Sequence, residues 1–502
     1  MTILFNLNPL LVLVSIPLIF ALLILLLKHR YILFISQLFT LLLTAYIWHS
    51  FSAINNNSNI ISFPWISDFN INFSLTLDNL SLCMISLTTI VTFFSSIFLI
   101  NEKNHHQNFK TIKNPHIYIM LLLLCQSSLY LTFLASDIFL FYFSWEITLL
   151  PIIFLLLIWG GEKRTQTALK LFLYTLCGSL CMLFALIFIL VSYYKTTHTI
   201  SFDYLTIKDF LSNTSLSTSS TNTYFWCFLA ITFSFLIKIP AVPFHGWQAD
   251  SYEQLPIHGS IYLSALLAKM GTYGLLRYSA NLFKSENNYN NYNYEIFIII
   301  GIISIIYGGI VALKQTDIKK FIAYSSISHS GFIIVGVFSL SNIATTGAIY
   351  QMFNHAIYAL TMFLIAYHFI IHFHSSNTSN FPDGLASKVP IFSIIFFITM
   401  LSSLAIPGTN NFVGEFMILL GTSSKSFYFC ALAASGVIVS AIYSLNFYKN
   451  LMFASNTNST TSASTHTIKD LTALQAIFFT VIILLIILIG VFPNNFLYKF
   501  NV

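Results

Sequence analysis

Glu146, Lys238, Lys269 and Glu415 each lie inside a long apolar stretch of this 502-residue sequence. A charged group near the centre of a membrane-spanning helix costs roughly 2.5–3.5 kcal/mol on insertion scales, so the set costs on the order of 10 kcal/mol. Residues of this kind usually face a bundle interior or a wet cavity and mark ion or proton paths. We therefore treat these side chains as candidate functional residues.

Lysine and glutamate together can form a proton switch. Removal from water lets a lysine release its proton near neutral pH, whereas a nearby carboxylate holds the proton in place. Moving or neutralising the carboxylate then frees the proton. We predict that Glu146 and Lys238 form such an adjustable pair. The alternative is a structural salt bridge that only holds two helices together, although buried ion pairs are weak stabilisers.

Lys238 and Glu415 both stand where an apolar segment is interrupted. Two prolines follow Lys238 in "FLIKIPAVPFHGW", and a Pro-Gly pair precedes Glu415 in "LSSLAIPGTNNFVGEF". Non-helical backbone at membrane depth persists only beside protein or a water-filled cavity. Two broken helices with a charge at each indicate a transport site. Prolines that merely kink ordinary helices are the alternative.

Two histidines add possible proton carriers. His329 in "AYSSISHSGF" and His355 in "QMFNHAIYAL" lie among serine, tyrosine and asparagine residues. Histidine titrates near neutral pH and can relay protons. A hydrogen-bonded packing role is the alternative. Because both histidines fall between Lys269 and Glu415 in the chain, we predict a relay role.

The composition indicates a membrane protein, whose spanning helices would position these groups. The chain is 57% hydrophobic and 8% charged, with a mean hydropathy of +0.80, whereas a soluble protein carries about 25% charged residues. Apolar runs of about 20 residues recur, each long enough to cross a ~30 Å hydrocarbon core. We predict an all-α polytopic membrane protein with about 14 transmembrane helices. They lie near residues 8–27, 31–53, 79–100, 116–135, 137–159, 170–194, 223–244, 257–278, 294–314, 318–340, 343–373, 389–421, 426–453 and 471–492.

The basic residues support this helix map. Of the 22 Lys and Arg residues, 14 lie in loops after odd-numbered helices and six in the loops of the opposite side. The remaining two are Lys238 and Lys269. By the positive-inside rule, the loops after odd-numbered helices face the cytoplasm or matrix, so both termini are expected on the outer side.

Charge and cysteine content exclude some classes of function. The net charge of +6 is spread along the chain, so we expect no nucleic-acid partner. The six cysteines form no C-x-x-C or Cys/His cluster, so we expect no metal or redox cofactor in this chain. The abundance of Phe (51) and Tyr (26), whose codons are AT-rich, indicates an organelle genome.

The interrupted helices also predict internal symmetry. They are the seventh and the twelfth, and an odd offset reverses the direction across the membrane, as two inverted five-helix repeats require. We predict four parts. These are N-terminal helices 1–3 at residues 1–115, the first inverted repeat, helices 4–8, at 116–280, the second inverted repeat, helices 9–13, at 281–455, and C-terminal helix 14 at 456–502.

Five stretches occur in an order typical of one family: "FYFSWEITLLPIIFLLLIWGG", "IKIPAVPFHGW", "LLAKMGTYGLLR", "QTDIKKFIAYSSISHSG" and "NNFVGEF". Through them the chain resembles the antiporter-like subunits of respiratory complex I over about residues 75–450. One position departs from the pattern, since Tyr252 stands where the family usually has histidine. The resemblance implies a proton-translocating subunit of NADH:ubiquinone oxidoreductase in the mitochondrial inner membrane, with both termini on the intermembrane-space side.

The resemblance also implies roles for individual residues and partners. NADH, FMN, iron–sulfur clusters and ubiquinone are expected in other subunits of the complex. The expected partners are the lipid bilayer and the other membrane-arm subunits, especially the paralogous antiporter-like ones. The family's proton-pathway positions correspond to Glu146 on the fifth helix, Lys238 on the seventh, Lys269 on the eighth, His329 and His355 on the tenth and eleventh, and Glu415 on the twelfth.

Two other classes of function are the alternatives. A subunit of a stand-alone cation/proton antiporter, driven by ion gradients, would show the same buried charges. A purely structural membrane scaffold does not explain the charges within the apolar segments. Co-migration with NADH dehydrogenase activity distinguishes the first two classes.

Overall fold

Each of the 14 apolar segments contains helix in the computed structural model, which describes residues 8–56, 61–101, 113–213, 218–283, 294–382, 384–453 and 470–495. The chain divides into two units. The first comprises Met1–Pro240 and Gln254–Tyr294, and the second comprises Ala241–Glu253 and Glu295–Val502.

The first unit is a bundle of apolar helices. Its third helix and its fourth pack together through buried residues on most of their surfaces. The helix that carries Lys269 alternates between α and π geometry. The helices are α1 Pro9–Leu27, α2 Tyr31–Asn56, α3 Asn79–Asn101, α4 Pro115–Leu134, α5 Ile138–Ile147, α6 Leu149–Trp159, α7 Arg164–Thr197, α8 Tyr204–Asn213, α9 Thr218–Lys238, α11 Ile257–Ile261, π1 Tyr262–Leu267, α12 Ala268–Gly274 and π2 Leu275–Ala280.

A β-hairpin departs from the all-α expectation. Strands β1 Ile61–Ile66 and β2 Ile71–Leu75 pair antiparallel between α2 and α3. The hairpin bonds to the turn between α4 and α5, where Ser136 N–H donates to Ser74 O at 3.0 Å. A two-stranded hairpin is marginal alone, so its contacts with the helices hold it.

Side-chain hydrogen bonds join α2, α3 and α4 inside this bundle. Gln37 and Gln126 exchange amide hydrogen bonds of 2.7 and 3.1 Å. Gln126 Nε2 also donates to Thr92 Oγ1 and to Tyr130 OH, each at 3.1 Å. Because lipid offers no competing partner, such bonds fix which helix faces meet.

The second unit contains the remaining helices. Its longest helix, α15, is buried over most of its length. The helices are α10 Gln248–Gln254, which extends one residue into the first unit, α13 Glu295–Ala312, α14 Ile318–Phe338, α15 Asn342–Phe373, α16 Leu385–Lys388, α17 Pro390–Ser403, α18 Asn410–Ser423, α19 Phe427–Met452 and α20 Ala473–Val491.

The predicted fold class is confirmed in its main features. Among the described residues, eleven helices are long and apolar enough to cross a membrane, and Thr223–Lys238 and Pro390–Ser403 form shorter apolar helices. Helix α9 starts at Thr218, five residues before the predicted segment. The total of 14 crossings and the inverted repeats stay predictions.

One aspartate begins a helix in each unit. Asp137 accepts hydrogen bonds from the N–H groups of Phe139 and Leu140 at the start of α5. Asp317 accepts from the N–H groups of the first two lysines of α14 at 2.9 and 3.0 Å. Side-chain oxygens at this position satisfy N–H groups that the helix itself cannot.

Candidate functional site

Glu146 lies beside an interruption that the sequence reasoning did not anticipate. Helix α5 ends at Ile147 and α6 begins at Leu149, with Thr148 between them. Pro151 has no N–H to donate to the carbonyl of Ile147, which explains why the helix is interrupted here. The carboxylate is half-buried, and its Oε1 atom has no hydrogen-bond partner among the described residues.

Lys238 is the last residue of α9 and is buried. Its Nζ atom lies 4.8 Å from the centroid of the Trp145 ring. A cation over an indole face is stabilised by the ring quadrupole, and the carbonyl end of a helix also favours positive charge. Among the described residues no carboxylate forms a salt bridge with Lys238, so these two effects stabilise its charged form.

Glu146 and Lys238 belong to the same unit, yet neither comes within salt-bridge distance of the other in the part of the chain that the structure describes. The carboxylate does lie within electrostatic range of the lysine. The geometry therefore does not support the alternative of a helix-clamping salt bridge. The role of Glu146 towards Lys238 stays a prediction.

Lys269 is fully buried on α12, between the two π segments. Single-turn π segments inside helices occur frequently at functional sites. Gly271 and Gly274 bring this helix against α9: a Cβ at Gly274 would lie 2.2 Å from Phe235 Cε1, and one at Gly271 would lie 2.7 Å from Ile239 Cγ1. The absence of side chains at both glycines therefore places the Lys269 helix directly on the end of α9.

In the second unit, Glu415 and His329 are in direct contact. His329 Nδ1 lies 2.9 Å from Glu415 Oε1, with 1% and 2% of the two side chains exposed. Gln351 Nε2 donates to the same carboxylate oxygen at 3.0 Å. The other carboxylate oxygen is buried without a hydrogen-bond partner among the described residues. The carboxylate thus has a buried oxygen free to accept a proton.

Hydroxyl groups surround the other nitrogen of His329. Its Nε2 atom lies 3.3 Å from Ser403 Oγ and 3.3 Å from Tyr443 OH. Ser444 Oγ donates to Ser403 Oγ at 3.1 Å. An imidazole can take a proton on one nitrogen and release one from the other. The histidine therefore links a carboxylate on one side with a chain of hydroxyls on the other.

His355 joins this cluster through ring contacts. Its ring centroid lies 5.4 Å from that of His329, and the Tyr358 ring lies 5.5 Å from His329 and 6.0 Å from His355. The Tyr358 hydroxyl is close to Ser325 and Ser403. The two predicted histidines are thus brought together.

The interruption before Glu415 is held by asparagines. Helix α17 ends at Ser403 and α18 begins at Asn410. Asn354 Nδ2 donates to Asn410 O at 2.6 Å, and Asn410 Nδ2 donates to Asn354 O at 3.1 Å. Gly408 has φ +94°, a conformation that glycine adopts readily. The carbonyls at the end of α17 accept from the break itself, with Leu404 N–H donating to Met400 O at 3.0 Å and Ala405 N–H to Ser402 O at 3.1 Å, and the asparagine pair ties the start of α18 to α15.

Several site residues were missed from the sequence. Gln351 had a usable signal, since it lies four residues before His355 on the same helix. Tyr358 had a similar one, three residues after His355. Nothing in the sequence indicated Trp145, Ser403 or Tyr443, because their contacts depend on how the helices pack. Among the described residues, no group of three or more His, Cys, Asp and Glu side chains is arranged to hold a metal ion.

Comparison with known proteins identifies the family. Residues 135–443 match the family described as "NADH:quinone oxidoreductase/Mrp antiporter, TM". The chain is 35% identical over 476 residues to the NADH-quinone oxidoreductase subunit M of Rickettsia prowazekii, covering 94% of this chain and 91% of that protein. It is 32% identical over 467 residues to the NADH-ubiquinone oxidoreductase chain 4 of Marchantia polymorpha, covering 92% and 88%.

Solved structures agree. A chain of respiratory complex I from Thermus thermophilus with bound NADH superposes with a TM-score of 0.84 at 25% identity, covering 98% of this chain and 97% of that one. A chain of the Mrp complex from Dietzia sp. DQ12-45-1b has the same fold, with a TM-score of 0.79 at 18% identity over 98% and 96% of the two chains. The chain belongs to the NADH:quinone oxidoreductase/Mrp antiporter transmembrane family.

Proposed function

We propose that the chain is a proton-translocating membrane subunit of NADH:ubiquinone oxidoreductase, corresponding to its chain 4. The two relatives named above are an NADH-quinone oxidoreductase subunit M and an NADH-ubiquinone oxidoreductase chain 4. The chain would move protons and leave the redox steps to other subunits, where NADH, FMN, iron–sulfur clusters and ubiquinone are expected. The other membrane-arm subunits would be its partners.

The observation that carries this proposal is the placement of buried ionisable groups at irregular helix segments. Lys238 ends α9 and Lys269 lies between two π segments in the first unit. In the second unit, Glu415 follows the break between α17 and α18 and contacts His329. Such groups are expensive in a membrane and are retained for ion or proton movement.

We propose the following roles for the six residues. Glu146 sets, through space, how tightly Lys238 holds its proton. Lys269 receives and passes on a proton in the first unit. In the second unit, His329 and His355 relay the proton, and Glu415 accepts it. Proton relays of this kind use hydroxyls and water to cross gaps between side chains.

We propose the mitochondrial inner membrane as the location, with both termini on the intermembrane-space side. The support is the AT-rich-codon composition, the relation to the Marchantia chain 4 and the distribution of Lys and Arg. Five basic residues that contribute to that distribution lie outside the described residues: Lys103, Lys110, Lys284, Lys469 and Lys499.

We further propose that the two units contain inverted repeats. The support is the matched start of α5 and α14. Each begins after an aspartate cap, and each aspartate also lies in a short bridge with a later loop, Asp137 with Asp203 and Asp317 with Asn377. An odd number of crossings between the two starts would reverse their direction.

The second candidate is a subunit of a stand-alone cation/proton antiporter. The family description names both classes, and the Mrp complex shares the fold. Native gel electrophoresis of membranes, with in-gel NADH dehydrogenase staining and detection of this chain, separates the two. Co-migration with the stained band supports the oxidoreductase subunit. A smaller complex without NADH dehydrogenase activity would instead support the antiporter.

A further inference from the structure

A polar stripe leads from Lys269 towards one end of the first unit. Lys269, Tyr273 and Arg277 recur at four-residue spacing, which brings them to one face of the helix. All three are buried. Eight residues of helix separate the lysine from the arginine, a distance of about 12 Å along the axis. A proton on Lys269 therefore has polar side chains on its own helix in this direction.

Arg277 lies at the end of this stripe, and several contacts hold its guanidinium group in a fixed position. Its Nη1 atom lies 2.5 Å from Asp78 Oδ2. The guanidinium lies 4.9 Å from the Tyr204 ring centroid and 5.7 Å from that of Tyr273. Tyr204 OH donates to the Arg277 carbonyl at 3.0 Å. These contacts fix both the backbone and the side chain of Arg277.

The two partners of this ion pair differ in exposure. The Arg277 side chain is 9% exposed and the Asp78 side chain 48%. Water and salt screen an exposed charge far more than a buried one. In addition, Arg277 Nε is buried with no hydrogen-bond partner among the described residues. The cation that faces the interior is thus buried, whereas the carboxylate that pairs with it is half-exposed.

The same end of the unit is closed by backbone contacts. The β1–β2 hairpin leads directly into α3, and Thr76 N–H donates to Leu134 O at 2.9 Å. Ile138 N–H donates to Phe202 O at 2.8 Å, which ties the start of α5 to the segment before α8. We call this end of the first unit the cap end. By the predicted topology it faces the outer side.

We propose that Arg277 is a fixed-charge barrier that stops protons on Lys269 from leaving through the cap end of the first unit. This proposal rests on the proposed function. A guanidinium does not release its proton in proteins, so it cannot take part in the relay. Its charge instead repels an approaching proton, as positive charges in other membrane pores exclude protons and cations.

The barrier gives the first unit a direction. Without Arg277, the stripe from Lys269 through Tyr273 would lead to the exposed side of the cap end, where the Asp78 side chain is 48% exposed. With it, a proton held by Lys269 has to leave by another route, which keeps its release coupled to the transport cycle. Arg277 is a directing residue here and carries no proton itself.

The test compares two variants of the whole complex in liposomes. Asp78→Asn removes the carboxylate but keeps the cation and an oxygen that can accept its hydrogen bond. The double variant Asp78→Asn with Arg277→Gln removes both charges, so the two variants differ only in the cation at residue 277. An imposed pH gradient is followed with a pH-sensitive dye in the absence of NADH.

We expect gradient decay in Asp78→Asn to match that of the unaltered complex. Decay in the double variant should be roughly 10- to 100-fold faster, the factor for removing a unit charge ~6–10 Å away at an effective dielectric constant of ~20. Adding Lys269→Met to the double variant should restore the slow rate, because the leak starts from that lysine.

Slow decay in the double variant would overturn the barrier. Equally fast decay in both variants would also overturn it, because the packing of the Arg277–Asp78 pair, and not the charge of Arg277, would then be what slows the proton leak. Failure of the double variant to assemble would assign Arg277 a structural role instead. NADH-driven pumping in Lys269→Arg tests the proposed function separately. If pumping is lost in that variant and the double variant shows no leak, the proposed function stands and only the barrier proposal is rejected.

Discussion

His329 Nδ1 lies 2.9 Å from Glu415 Oε1, and this contact joins α14 to the helix that follows the interruption at residues 404–409. A carboxylate and an imidazole at this distance can share a proton. The contact is buried, so water does not compete for it. Whatever proton reaches Glu415 in the second unit therefore does so next to a group that can also hold one.

Glu415→Gln should abolish proton pumping. The amide keeps the size of the side chain and can still bond to Gln351, but it cannot accept a proton, so a loss on the order of 100-fold is expected. NADH-driven quenching of a pH-sensitive dye in membrane vesicles measures it. Glu253→Gln is the matched control, because Glu253 forms only a partly exposed ion pair with Lys320. Normal pumping in Glu415→Gln would remove the acceptor role.

Glu146→Gln should reduce pumping and coupled NADH oxidation together while the assembled complex stays detectable on native gels. The reason is that in its proposed role the carboxylate acts on Lys238 through space, and among the described residues it forms no salt bridge that the fold could require. Glu162→Gln, at an exposed position between α6 and α7, is the control. A complex that fails to assemble only in Glu146→Gln would favour a structural role.

Trp145→Leu should also disturb proton release from Lys238, here through the indole ring instead of the carboxylate. Leucine fills the space with apolar atoms but removes the ring face that lies 4.8 Å from Lys238 Nζ. The lost cation–π contact, roughly 2 kcal/mol when desolvated, would make the lysine release its proton at lower pH. The pH profile of coupled NADH oxidation should therefore shift downwards. Trp145→Phe, which keeps an aromatic face, should shift it less. An unchanged profile in the leucine variant would contradict the assignment.

Lys269→Ala and Lys269→Arg should both stop proton transfer. Alanine removes the carrier, and arginine retains a charge that does not release its proton near neutral pH. Pumping and coupled turnover of the two variants decide the role. Lys320→Arg serves as the control for the same change at a partly exposed lysine. Near-normal activity in Lys269→Arg would leave Lys269 as a fixed structural cation.

Gly274→Ala should destabilise the first unit. The new Cβ would lie 2.2 Å from Phe235 Cε1, so the ring has to move in a packed interior. Overpacking of this kind costs typically 1–3 kcal/mol. The yield and thermal stability of the assembled complex report the loss. Phe235→Leu in the same chain should restore part of it, whereas an additive loss in the double variant would place the cause elsewhere.

An impermeant lysine reagent applied from the outer face should miss Lys314 and Lys320. Both lie in or near the loop after the ninth predicted helix, which the positive-inside rule places in the matrix or cytoplasm. Lys195, predicted on the opposite side, should react and serves as the positive control. Mass spectrometry of the labelled chain detects both outcomes. Modification of Lys314 from the outer face would disprove the helix map.

Much of the fold was predictable because the bilayer imposes length and apolarity on every spanning helix. The breaks after Lys238 and before Glu415 were predictable for a related reason, since proline and glycine mark them in the sequence. The break at Thr148 had a signal as well, because Pro151 has no N–H to donate to the carbonyl of Ile147, four residues earlier. It was missed since the surrounding run reads as uninterrupted.

Other features left no local signal. The π segments around Lys269 are one example, because alternation of α and π geometry has no fixed sequence pattern. The cation–π contact of Lys238 needed the orientation of Trp145, the neighbour of the residue that the sequence had singled out. The cluster of Arg277 with Asp78 joins residues 199 positions apart, which no periodicity can indicate.

The two hydrogen bonds between Asn354 and Asn410, each from a side-chain amide to the other residue's backbone carbonyl, have a mechanical consequence. An interrupted helix is often taken to be a hinge, but here the start of α18 is hydrogen-bonded to α15 twice. Bending it would break both bonds, at a net cost of about 1 kcal/mol each, and would leave buried amides unsatisfied. Helices α15 and α18 should therefore move as one body. Motion during the cycle would then come from rotation of the Glu415 and His329 side chains, with the backbone around them stationary.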